Sequence, residues 1–129
     1  MCLESLGSHQ KKCIKKLETR EDGYVWLWKV FDLDKEDNLV AQFHDYNFYE
    51  GKNTAEGDVV LDLNKYRSSL QYKLGFHCFT TENDAHDWLE EIIDTGRNRV
   101  IVPVKVRKTW ITAIGYQGGL VVVCKHIII

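Results

Sequence analysis

The sequence has little of what usually betrays a specialised protein. Its 129 residues include one proline, no CxxC pair among four cysteines, no internal repeat, no low-complexity segment and no acidic residue after Asp94. The longest apolar run, 120–124, falls far short of the roughly 18–20 residues of a membrane-spanning helix, so no membrane association is expected. The opening Met1-Cys2-Leu3-Glu4-Ser5 lacks the apolar core of a secretory signal. A cytoplasmic location is the expectation, with Cys2, Cys13, Cys78 and Cys124 as reduced thiols.

What is present fits a globular protein. Hydrophobic residues make up 44% and aromatics 12%, which excludes global disorder, and the length suits a single domain, 1–129. A chain of this size buries about two-thirds of its unfolded surface, so neither metal nor disulfides are required for folding. The net charge of -2 argues against a protein that coats nucleic acid by bulk charge. That total conceals segregation: residues 21–58 sum to -7 and 81–95 to -6, whereas 96–129 carry six basic groups and no acid.

The clearest element is a helix over 82–95, where Ala85, Trp88, Leu89, Ile92 and Ile93 form one apolar stripe at helical period. Thr81 is placed to cap it, with Asp84 three residues on, and Gly96 to end it. Strands are expected at 24–31, at 39–48 as its hairpin partner, and at 72–79, 100–106, 110–114 and 120–129; residues 49–71 read as loop. Pro103 lacks a ladder donor and points to an edge or a bulge. Residues 1–20 form either a short amphipathic helix or a loose arm. The reading is an α+β fold: a mostly antiparallel sheet of about six strands with one main helix and a possible second at the N-terminus.

Each candidate for chemistry has a plainer structural alternative. His9 and Cys13, at i and i+4, have zinc-ligand chemistry and would need partners such as His77 or Cys78; the usual paired-ligand spacing is missing, which favours an exposed histidine and a half-buried thiol. Cys2 would act as a nucleophile only as a free N-terminal residue. Gly75, Phe76, His77, Thr80 and Thr81 form the segment of most interest: a strand running directly into a helix N-terminus, where free N–H groups favour an anion. On a strand Phe76, Cys78 and Thr80 face one way and Gly75, His77 and Phe79 the other. The alternatives are a structural histidine on a polar sheet face and a bulge at Gly75. Arg97, Arg99, Arg107 and Lys108, with Trp110 and Tyr116 as stacking partners, make a candidate basic patch. Neutralisation by the preceding acidic helix is the preferred account of those charges. Tyr24, Trp26, Trp28 and Val30 share one face of the first long strand, opposite Val25, Leu27, Lys29 and Phe31, and one of those faces must be partly exposed.

Met1-Cys2-Leu3, Lys29-Val30, Gly75-Phe76-His77-Cys78-Phe79 with Thr81 and Ala85, the valine-rich 100–104 and the ending Lys125-His126-Ile127-Ile128-Ile129 resemble a group of small uncharacterised proteins of gut bacteria and their phages. That resemblance implies an origin on mobile DNA and confers no mechanism. The Gly-aromatic-x-aromatic strand followed by Thr and a helix is also distantly similar to ADP-ribosyltransferase-like folds. In that likeness Gly75, Phe76, His77 and Thr80 or Thr81 would line a nicotinamide pocket. The family's catalytic Glu before the late strand is replaced by Gln117, which leaves nucleotide binding without turnover.

The resulting expectation is a non-catalytic binding protein without cofactor or metal, whose partner is a small ligand or a protein. A homodimer is expected if the apolar strand 121–129 lies at an edge. The second expectation is a nucleotide-binding module at the His77 strand and helix N-terminus.

Overall fold

The computed structural model describes residues 5–6, 10–41, 47–55, 60–62, 71–73, 75–91 and 98–129. In chain order these form β1 (Ser5–Leu6), α1 (Gln10–Lys15), β2 (Val25–Leu33), β3 (Leu39–Val40), β4 (Lys52–Thr54), β5 (Val60–Asp62), β6 (Gln71–Lys73) and β7 (Phe76–Phe79). Then follow α2 (Glu82–Glu91), β8 (Arg99–Val106), a 3-10 turn at Lys108–Trp110, β9 (Ile111–Tyr116), β10 (Leu120–Cys124) and β11 (His126–Ile128). The class is α+β and every strand pair is antiparallel.

The strand count exceeds the expected six. Among the described residues the main sheet has nine strands, ordered β1-β9-β10-β7-β2-β8-β11-β4 with β3 beside β2, and β5 pairs with β6 separately. Two expected strands are in fact divided. The run 72–79 breaks at Gly75, where a Cβ would lie 2.6 Å from the Cys124 carbonyl oxygen; close approach of β10 is what demands glycine there. The run 120–129 breaks at exposed Lys125, whose N–H donates to the Trp110 carbonyl while its own carbonyl accepts from Ala55 N–H. Within the expected loop 49–71, β4 pairs with β11 through Lys52, Asn53 and Thr54. The hairpin partner over 39–48 reduces to β3 and a bridge between Val40 and Asn47, with 42–46 outside the described residues.

The break at Lys125 shapes the molecule. β10 and β11 are separated in the sheet by β7, β2 and β8, yet one residue joins them in the chain. Four flat inter-strand spacings would cover about 19 Å, whereas Cys124 and His126 are at most about 7 Å apart. The sheet must therefore curl until the two halves of one bent strand close a ring. Pro103 accordingly lies on a wall strand, not at an outer edge. β8 runs along β2 for eight registered residues, Pro103 opposite Trp28, but β11 registers with β8 only at Lys105, so on its β11 side Pro103 has no registered partner among the described residues.

Alternation now separates inside from outside. Val25, Leu27, Phe31, Phe76, Cys78, Val104, Val106, Val122, Cys124 and Ile127 fill the interior, and Cys13, Ile14 and Leu17 of α1 and the turn after it pack against them. On the outer face Val30, Phe79, Ala113, Val121 and Val123 lie under α2, which supplies Ala85, Trp88 and Leu89. α2 begins as the sequence predicts: Thr81 Oγ1 accepts the Asp84 N–H at 3.2 Å. Its expected final turn, 92–95, and Gly96 lie outside the described residues. The apolar terminal strand is central, with β10 between β9 and β7 and β11 between β8 and β4, which removes the bare-edge argument for a second subunit. No helix among the described residues is long and apolar enough to cross a membrane.

Candidate binding face and a lysine inside the barrel

α2 packs on β2, β7 and β8 over Val30, Phe79 and Ile101. Toward the opposite ends of β2 and β8, Trp26, Lys105 and Ile128 are half-buried and Lys52 and Arg107 exposed. There the registers Lys52↔Ile128, Ile128↔Lys105 and Lys105↔Trp26 place four side chains in one row across β4, β11, β8 and β2. Since cross-strand partners share a face, the row points outward together. Aromatic rings flank the cations throughout. The Lys105 ammonium lies 4.8 Å from the Tyr24 ring centroid and 5.9 Å from that of Trp26, Arg107 sits 4.5 Å over Tyr24, and Arg20 4.8 Å over Trp26. Lys52 lies 5.0 Å from Trp110, and His126 meets that ring edge-on at 5.4 Å.

Asp22 fixes the Trp26 end. Its carboxylate accepts the Tyr24 N–H at 2.9 Å and the Trp26 indole N–H at 3.1 Å. The Tyr24 hydrogen bond chiefly holds its pKa below the usual carboxylate range, aided by the Trp26 N–H and the charges of Lys105 and Arg20. Beside Trp26, Leu17, Glu18, Arg20, Trp28 and Thr80 line a groove of about 260 Å³. At the other end Thr54 Oγ1 and His126 Nδ1 are 2.8 Å apart, and partial burial together with Lys52 and Lys125 pushes the His126 pKa down.

The residues singled out in the sequence are distributed as follows. Phe76 points inward, in the core. His77 is 4% exposed, not on a polar face, and its Nδ1 lies 3.2 Å from the Gly75 carbonyl. Thr80 bonds Leu120 through both its N–H and its hydroxyl and borders the Trp26 groove. Thr81 caps α2. Of the candidate patch, Arg107 and Trp110 join the aromatic band; Arg99 instead pairs with buried Asp32 at 3.6 Å, and Lys108 donates to the Lys15 carbonyl at 2.7 Å. Tyr116 is on β9, away from the band in the strand order, and Arg97 lies outside the described residues, as do His9 and Cys2. Among the described residues no group of three His, Cys, Asp or Glu could hold a metal ion.

Sequence reasoning missed Lys29. Its position among Val25, Leu27 and Phe31 was visible, but not that this face is the barrel interior. Lys29 is 7% exposed; its Nζ donates to the His77 carbonyl at 3.0 Å and lies 5.6, 5.8 and 6.0 Å from the rings of Phe31, Phe48 and Phe76. Burial drives its pKa down, partly opposed by the neighbouring thiols of Cys78 and Cys124. Those thiols are hydrogen-bonded to each other. Burial raises Cys124 strongly; in Cys78 the same desolvation is outweighed by the Cys124 hydrogen bond and the Lys29 charge, leaving Cys78 the more acidic.

No family model matches the chain, and no curated protein or solved structure matches it.

Proposed function

We propose that the protein is a non-catalytic binding protein whose open outer face takes an anionic ligand bearing a planar ring, of the nucleotide class. The supporting observation is the state of its cations. Arg20, Lys52, Lys105 and Arg107 are held against aromatic rings, and none makes an ion pair with a carboxylate among the described residues. Ring contact orients a cation without cancelling its charge, so the face keeps a positive field for a phosphate. The aromatic walls of Tyr24 and Trp26 suit a base, and the groove beside Trp26 is close to the lower size of small-ligand sites. The alternative site at His77 has weaker support, because that imidazole is buried.

Titration of AMP, ATP and NAD against tryptophan fluorescence at low salt tests the reading. A saturable change is expected, with affinity reduced several-fold in Lys105→Gln. No response to any nucleotide at millimolar concentration would refute it.

A further inference from the structure

We infer that the ligand of this face is single-stranded nucleic acid, not an isolated nucleotide; the inference rests on the reading just given. The row Lys52–Ile128–Lys105–Trp26 crosses four consecutive strands, a width of about 14 Å from three inter-strand spacings. One nucleotide can engage one cation and one ring of such a row. A short strand can lay successive phosphates on Lys105, Arg107 and Lys52 while its bases meet Trp26, Tyr24 and Trp110. Interleaved rings and cations along a track are what sequence-tolerant binding of unpaired bases requires. A duplex keeps its bases stacked within itself and offers those rings nothing.

The acidic stretches do not cancel the track. α2 carries Glu82, Asp84, Asp87, Glu90 and Glu91, but it lies over the Val30 and Ile101 end of the outer face. Near the track the carboxylates are Glu18, Glu21 and Asp22, grouped at its Trp26 end, where Asp22 accepts the Trp26 indole N–H and feels the charges of Lys105 and Arg20. They give the track an end, so the strand extends from Trp26 toward Lys52 and not past Trp26.

Fluorescence anisotropy with labelled thymidine mononucleotide and with oligothymidylates of two, four and eight residues tests this on the full chain. Affinity is expected to rise at least tenfold from the mononucleotide to the four-residue oligomer and to change little beyond it. For the oligomer, log K should fall with log salt at a slope of about -2 to -3, the value for three or four phosphate contacts on a single strand. Lys52→Gln and Lys105→Gln should each reduce that slope by about 0.7 with the melting temperature unchanged, whereas Glu90→Gln on α2 should leave it unaltered. Mononucleotide binding without a gain on lengthening would overturn the inference and leave the nucleotide reading standing. Failure of every probe would remove both. Equal affinity for a duplex, or for polyglutamate, would show a charge-only surface and overturn the role given to the rings.

Discussion

Lys29 shows how one residue can depend on a feature that only the closed sheet creates. A buried ammonium costs free energy that one hydrogen bond and three ring contacts offset only in part. Because its folded pKa is depressed below the unfolded value, the unfolded chain binds more protons between the two. Stability must therefore rise with pH from the folded value toward about 10.5. Lys29→Met should flatten that rise in denaturant melts across the alkaline range. Lys29→Ala, which also leaves a void, should be about 2–5 kcal/mol less stable than Lys29→Met. Gly75→Ala is a second test of packing: its Cβ would press on the Cys124 carbonyl and the Val123 side chain, at 2.6 and 2.9 Å. A loss of about 1–3 kcal/mol is expected from urea unfolding.

For the elements, what was legible depended on whether the signal was local. The start of α2 was readable because cap, acidic first turn and apolar stripe lie within one short stretch. Thr81→Ala should lower stability by about 1 kcal/mol, read from the shift in melting midpoint. The long strands at 24–31 and 100–106 were also readable, and they became β2 and β8 with bounds moved by one or two residues. The breaks at Gly75 and Lys125 were not. An apolar run alternates in the same way whether it continues straight or bends, and the atoms met at each break come from distant parts of the chain. β4 was missed for a related reason: Lys52-Asn53-Thr54 has little strand propensity, and pairing with β11 supplies what composition does not. Here tertiary context overrides local preference.

Across the whole molecule, the segregation of charge is used differently from what the sequence implied. Two basic groups of the tail, Lys105 and Arg107, lie against Tyr24 on β2's side of the wall and not against α2. Arg107 and Trp110 were recognisable members of the candidate face, while Tyr24, Trp26, Lys52 and Lys105 join it only through cross-strand register. His126 adds a pH dependence to this face. Facing Lys52, Thr54, Trp110 and Lys125, it is neutral at pH 7, and its pKa is lower than in the unfolded chain. Acidification below about 6.5 therefore lets the unfolded state take the proton first, and stability should fall. Binding should move the opposite way: an anion stabilises the protonated ring, so oligonucleotide affinity should strengthen as pH falls through that window. His126→Gln should abolish both trends, measured by melts and by anisotropy on the same buffers.

The single residue between β10 and β11 also couples events on opposite walls. A slip of one position in the ladder of β10 with β7 would turn Cys124 and Val122 outward. Through Lys125 it would drag β11 with it, exposing Ile127 and carrying Lys52 and Lys105 out of alignment with Ile128. The barrel thus has one shared phase, and no seam can misregister alone. The spacing of charges on the candidate face is set by the same constraint that keeps Val122, Cys124 and Ile127 turned inward.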